Sequence, residues 1–298
     1  MSFAIAVAVA LALTPFARRI GIATGLVDRP ADPALAIHTA PVPLLGGLAV
    51  IGAALLSVAF VGDGLPGSVL AATLIGLVTG LIDDVRPLPP LIRLAIIAAG
   101  GVVLAIDGLD VEPLGALAGI GVVALVLAST NAVNMIDGQN GLAGGLIAAA
   151  AGGIALVHPS GHPARAIGFA LAGAAVAFLV WNVPGRIFLG NGGAYAAGSL
   201  LAALAASATA EGWRGVLAAG ACLGVFAFEM LFTVARRIRS GHGLMTGDRL
   251  HSYDIVAERR GSRLGSTYRF WIAGVGAAAV GYAVSRIDLG PGLAIGGV

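Results

Sequence analysis

Asn131, Asn134, Asp137 and Asn140 recur at three-residue intervals in NAVNMIDGQNGLAGG, residues 131 to 145, between two long apolar runs. At 3.6 residues per turn this spacing predicts a row of oxygen ligands and hydrogen-bonding groups near one face of a helix. Such a row could hold a cation or a phosphorylated ligand at the edge of an apolar bundle. A competing reading is helix capping, because Asn and Asp gather at helix ends and Gly138 and Gly141 follow closely.

Three further stretches separate those readings. In LIDDVRPLPPLIR, residues 81 to 93, the adjacent carboxylates Asp83 and Asp84 repel one another near hydrocarbon and require a proton or a cation. Magnesium favours such hard oxygens and bridges phosphates, and Arg93 could grip a phosphate through two parallel hydrogen bonds. The glycines of RIFLGNGGAY, residues 186 to 195, could bring backbone amides against an anion at a helix start, although a plain tight turn has the same composition. The longest polar stretch, 236 to 267, holds the densest arginine cluster beside His242, Asp248, His251 and Asp254. Such a cluster also serves as a topology signal or an anionic-lipid contact. Glu229 lies in an apolar run, where an unpaired charge costs about 2.5 to 3.5 kcal/mol, so it must be protonated or paired.

The elements that position these groups follow from composition. Of 298 residues 58% are hydrophobic and 11% charged, and the mean hydropathy is +0.97. That excludes an ordinary soluble domain. Apolar runs long enough to cross a bilayer core of about 30 Å recur along the chain, predicting an all-α, polytopic transmembrane bundle. Spans are expected at roughly 2–16, 45–62, 67–82, 91–107, 114–133, 141–158, 165–183, 192–209, 213–235 and 267–285, about ten in all. No polar segment is long enough for a second domain, so residues 1–298 read as one integral-membrane unit.

All 17 basic residues are arginine, and alternating the spans from an external N-terminus gathers all but Arg165, Arg214 and Arg286 on one side. The positive-inside rule makes that side cytoplasmic. The same assignment carries Asp83, Asp84, Asp137, Asn191 and His251 to that side. A bacterial plasma-membrane protein is expected. A net charge of +2 gives no case for nucleic acid, and the single Cys222 gives no disulfide framework. The abundant small residues let membrane helices approach closely and permit a homodimer without requiring one.

These motifs, in this order, resemble the polyprenyl-phosphate sugar-1-phosphate transferases, the membrane family that includes the phospho-MurNAc-pentapeptide translocase and the GlcNAc-1-phosphate transferases. The resemblance runs from LVDRP at Leu26, through the loop holding His38 and residues Pro41 to Gly47, to His251. It implies that Asp83 and Asp84 serve magnesium, or alternatively manganese, and the lipid phosphate. It implies that Asn134 and residue 191 help bind the metal, that Arg93 contacts phosphate, and that Asp137 and Asn140 line the nucleotide-sugar site. Asp83, Asp84 and Asp137 are the expected catalytic carboxylates; Arg93, Asn131, Asn140, Arg186, Arg249 and His251 are the expected substrate contacts. The implied substrates are a UDP-HexNAc, foremost UDP-GlcNAc, and undecaprenyl or decaprenyl phosphate. An oxygen of the polyprenyl phosphate would attack the sugar-bearing phosphorus, releasing UMP and leaving a lipid diphosphate sugar.

The chain departs from the family pattern at several positions. Asn191 follows Gly190 where the family has an aspartate that is a principal metal ligand, so weak magnesium binding and low turnover are expected. His251 is followed by Ser252, Tyr253 and Asp254 rather than by further histidines, which argues against the pentapeptide-accepting branch. Ala36 and Leu44 stand where basic residues are common, and Glu229 stands where Asp is frequent. A relative that binds the nucleotide sugar or the lipid phosphate without reacting is the main rival reading, supported by Asn191. A transporter fits less well, because transporters place charged sites near the bilayer midplane.

Overall fold

The computed structural model describes residues 1–29, 40–62, 64–106, 116–241, 243 and 248–287; Ala36, His38 and His242 lie outside them. The described residues form helices joined by turns, apart from one two-residue ladder. Helix α1 (Ser2–Thr24) leads into β1 (Val27–Asp28), which pairs antiparallel with β2 (Val42–Pro43), Val27 opposite Pro43. Then follow α2 (Gly46–Val61), α3 (Gly67–Val85), α4 (Pro90–Ile106), α5 (Ala116–Ile136), α6 (Leu142–Val157), α7 (Pro163–Asn182) and α8 (Gly190–Ser207). A short 3-10 turn precedes α9 (Gly212–Cys222), α10 (Gly224–Ser240), α11 (Ser252–Arg260) and α12 (Arg263–Arg286). This is a helical membrane protein: among the described residues five stretches have the length and apolarity to cross a bilayer, and α2, α4 and α6 are shorter apolar helices.

Helix α8 is the central post, with every residue from Gly192 to Ala206 buried. Its Gly- and Ala-rich sequence makes this feasible, since small side chains let α2, α3 and α5 close on it. Gly80 of α3 shows how tight the fit is. A Cβ there would overlap the backbone of Asn191 and Gly192. Overpacking of this kind costs about 1 to 3 kcal/mol, and here it would also push Asp83 and Asp84 away from α8. Gly80→Ala should therefore lower the thermal midpoint in detergent micelles and reduce turnover, whereas Gly121→Ala, with nothing within 4 Å, should be neutral or slightly stabilising. Equal midpoints for the two variants would contradict this packing.

Two elements differ from expectation. The first helix does not stop at residue 16 but runs through Arg18 and Arg19 to Thr24, with Pro15 inside it, and Arg18 donates to the Arg186 carbonyl at 3.1 Å. The predicted span 213–235 is interrupted at Leu223, which caps α9 and starts α10. Glycines 220 and 224 flank this break, and α10 continues to Ser240 with Arg237 and Arg239 in its last turn, where they complement the helix dipole.

Candidate active site

Three helix ends converge: the C-terminal turn of α3, the end of α5 and the N-terminus of α8. Asp83 is 7% exposed. Its Oδ1 accepts from the Leu88 amide at 2.7 Å, and its Oδ2 accepts from the Tyr195 hydroxyl at 2.8 Å, the Asn191 amide nitrogen at 3.2 Å and Arg93 Nη1 at 3.4 Å. Half-buried Asp84 turns the other way. It caps α8, taking the backbone N–H of Asn191 at 3.0 Å and of Gly192 at 3.2 Å. A carboxylate at a helix N-terminus satisfies orphan donors and meets the positive end of the dipole. The glycine loop thus does gather amides about an anion, and that anion is Asp84. Gly190 makes the approach possible with a φ of 76°, in the left-handed region, close against the Leu44 carbonyl.

Asn191 ties the three helices together. Its side-chain nitrogen reaches Asp83, and its oxygen accepts from Asn134 Nδ2 at 2.6 Å. The orientation of both amides is dictated by chemistry. An ionised carboxylate only accepts, so Asn191 must turn its NH2 to Asp83; its oxygen then faces Asn134, which must donate. The donor set left by this arrangement does not fit magnesium. The ion needs anionic oxygens, yet the group at 191 is a neutral amide with its oxygen already engaged. Among the described residues no three His, Cys, Asp or Glu side chains gather to hold a metal ion.

The row expected from residues 131 to 140 is only partly formed. Helix α5 ends at Ile136, and Asp137 to Gly141 form a turn. Asn134 and Asp137 remain with the α3 and α8 groups: the carboxyl of Asp137 is held well above the usual carboxylate range by loss of water and by Asp84, against the lowering effect of the Gly190 amide. Asn131 instead bonds back to the Leu127 carbonyl at 2.7 Å. Asn140 leaves the row because the turn swings it towards Gly185 and Thr267, its carbonyl accepting from Thr267 at 3.2 Å and its Oδ1 buried with no partner. Arg186 is exposed over the Trp181 ring at 5.9 Å.

The polar stretch beyond α10 folds back onto this turn. Arg249 donates to the Gly138 carbonyl at 2.9 Å, and the Tyr253 hydroxyl donates to the Met135 carbonyl at 2.9 Å. The ring of His251 stacks on Tyr253 with centroids 5.2 Å apart. Asp248 anchors the returning chain by accepting from Arg236 at 2.7 Å and Arg237 at 3.1 Å. Burial opposes ionisation, but the Arg236 and Arg237 bonds and the Leu250 amide prevail and hold the Asp248 carboxyl at about 2. A depressed acid contributes stability above its unfolded pKa of about 3.9, and that contribution disappears as pH falls through about 2. Asp248→Asn should therefore lower the thermal midpoint at pH 7, with the difference from wild type narrowing below pH 4; a difference independent of pH would contradict the assignment.

Sequence reasoning passed over two residues. Tyr195 lies within the glycine-loop motif and reaches Asp83 from one helical turn inside α8. Asn182, 4% exposed, accepts from the Gly141 amide at 2.8 Å and donates to the Ile187 carbonyl at 2.9 Å, joining the turn after α5 to the loop before α8. Its signal was a carboxamide at the end of an otherwise apolar run.

Residues 67–209 match the model of glycosyl transferase family 4. A decaprenyl-phosphate N-acetylglucosaminephosphotransferase of Mycolicibacterium smegmatis is 30% identical over 80% of this chain and 70% of its own length. A probable undecaprenyl-phosphate N-acetylglucosaminyl 1-phosphate transferase of Bacillus subtilis is 27% identical, covering 84% and 75%, and an undecaprenyl-phosphate alpha-N-acetylglucosaminyl 1-phosphate transferase of Escherichia coli K12 is 28% identical, covering 81% and 71%. This chain belongs to glycosyl transferase family 4, among the membrane transferases of sugar 1-phosphates.

Proposed function

We propose that the protein transfers a HexNAc 1-phosphate from a UDP-sugar, foremost UDP-GlcNAc, to undecaprenyl or decaprenyl phosphate at the cytoplasmic face of a bacterial plasma membrane. The observation that carries this reading is the meeting of three helix ends and the His251 segment around Asp83, Asp84, Asn134, Asp137 and Asn191. The arrangement of about ten spans with an external N-terminus belongs to the same proposal, and the one-sided arginines support it.

The chemistry asks little of a base. A phosphate monoester has a second pKa of about 6 and is largely dianionic at neutral pH. One of its oxygens bonds to the sugar-bearing phosphorus, the bond from that phosphorus to the bridging oxygen breaks, and UMP leaves with the electron pair. Such transfers rest on positioning and on charge stabilisation. Arg93 is suited to the lipid phosphate. Asp83 engages one of its terminal nitrogens at 3.4 Å, and its Nε has no partner, so the guanidinium is oriented while retaining donors. Arg249, on the Gly138 carbonyl beside Asp137, is suited to the nucleotide diphosphate. Family membership implies a divalent cation, magnesium or manganese, which would neutralise charge between two anionic substrates, a role for which the neutral amide at 191 leaves this chain poorly equipped. With Asn191 in place this chain should bind the ion weakly and turn over slowly.

The direct test is the nucleotide released when the purified protein is mixed with undecaprenyl phosphate and UDP-GlcNAc carrying a labelled β-phosphate. UMP with the label in the lipid is the expected result. UDP release with unlabelled lipid would mean sugar transfer and would overturn the proposal.

A further inference from the structure

Glu229 is the one carboxylate of α10 within its apolar part, and it is fully buried. It is saturated by donors. The Thr233 hydroxyl donates to Oε1 at 3.0 Å, His251 Nδ1 lies 2.9 Å from the same oxygen, the Ser252 amide donates to it at 3.3 Å, and the Ser252 hydroxyl donates to Oε2. Three of these donors come from the segment at the start of α11, so a charge buried in one helix organises the chain returning from the polar stretch. No arginine pairs with Glu229 among these contacts, and a carboxylate withdrawn from water without such donors would be costly.

The arrangement fixes His251 in more than place. Because the carboxylate only accepts, Nδ1 must carry a hydrogen, and the ring plane is set by the stack on Tyr253, whose hydroxyl is itself tied to the end of α5. The other ring nitrogen makes no hydrogen bond among the described residues, and the side chain keeps 10% of its surface open. A carboxylate behind an imidazole orients it and stabilises the imidazolium, in which the opposite nitrogen also carries a hydrogen and can donate to an anion.

We infer that Glu229 is a positioning residue for donor-substrate binding: it holds His251 through Nδ1 so that Nε2 is presented to a phosphate of the nucleotide sugar. This rests on the transferase reading above and adds to it a residue that touches no substrate. The chain Glu229, His251, phosphate couples two residues whose separate removal should have one consequence.

Affinity for UDP-GlcNAc, measured by calorimetry on the full chain in nanodiscs, tests the coupling. Glu229→Gln and His251→Gln should each weaken binding about tenfold, the size of one lost charge-assisted hydrogen bond, and the double variant should lose no more than about twofold beyond either single one. Glu229→Asp, which keeps the charge, should stay within about threefold of wild type, as expected when the charge-assisted bond survives. A separate readout uses 15N spectra of histidine-labelled protein, the His251 signals being assigned with His251→Gln. Glu229→Gln should disturb the Nδ1-protonated signature of His251 in the absence of any ligand. Additive losses of about a hundredfold, or unchanged affinity in Glu229→Gln, would overturn the proposal, as would identical His251 15N shifts in wild type and Glu229→Gln. Failure of the wild type to bind UDP-GlcNAc would overturn the ligand assignment together with the transferase reading, while the 15N comparison would still judge the Glu229–His251 pairing.

Discussion

Asn191→Asp should make the stability of this protein depend on magnesium. In the native chain the NH2 of Asn191 donates to Asp83 Oδ2 at 3.2 Å while its oxygen accepts from Asn134. A carboxylate in the same place brings two negative oxygens to that separation with no proton between them. At an effective dielectric of about 20 the repulsion is several kcal/mol at close range, and relaxation should leave a net loss of about 2 to 4 kcal/mol. A cation that binds the new carboxylate reverses the loss by linkage, by about 2.7 kcal/mol at a hundred times its dissociation constant. Thermal unfolding in detergent should thus show the variant below wild type in EDTA and restored in millimolar magnesium, with wild type barely responding to the ion. An equal magnesium response in both proteins would mean that the amide network does not stand in place of the metal.

Asp83→Asn should be among the most damaging single-atom changes in the chain. Every group facing Asp83 is a donor: Leu88 N–H on one oxygen, and Tyr195, Asn191 and Arg93 on the other. An amide has one acceptor oxygen, so either flip sets its NH2 against an N–H or O–H, and Arg93 loses its counter-charge. The expected cost is about 3 kcal/mol, with turnover falling in parallel because α3 and α8 are no longer held in register. Tyr195→Phe removes one donor of the four and should cost only about 1 kcal/mol. The opposite ranking in thermal unfolding would show that Asp83 is not the keystone of this site.

The gross architecture was legible because the bilayer leaves few alternatives: long apolar runs must be helices, and α2 to α8 fall within a few residues of their predicted bounds. Alternating the spans put Asp83, Asp84, Asp137 and Asn191 on one side, and the resemblance added Asn134; in the structure these groups lie together. What composition could not carry was local backbone direction. Asn140 was read as one more member of a three-residue repeat, but α5 ends at Ile136 and Asn182 takes the Gly141 amide, so the turn rotates Asn140 away. Asp84 was read beside Asp83 as one of a pair, whereas successive helical residues point about 100° apart, sending one to Tyr195 and the other to the α8 backbone. Glu229 was expected to be protonated or paired. Its partners proved to be His251, Ser252 and Thr233, brought together by a return of the chain that no local pattern announces.

The central proposal is that residue 191 occupies the position where the family resemblance puts the ion, and that Asn191 lacks the charge of the ion's principal ligand. The most direct measurement is the rate of UMP release from UDP-GlcNAc and polyprenyl phosphate across a magnesium titration, with the native chain and Asn191→Asp side by side. The account predicts a slow native chain with little response to magnesium, and a variant faster by about a hundredfold or more, the scale of one lost electrostatic contact in a transition state, at saturating ion. A native chain as fast as the variant, with the same magnesium dependence, would contradict it.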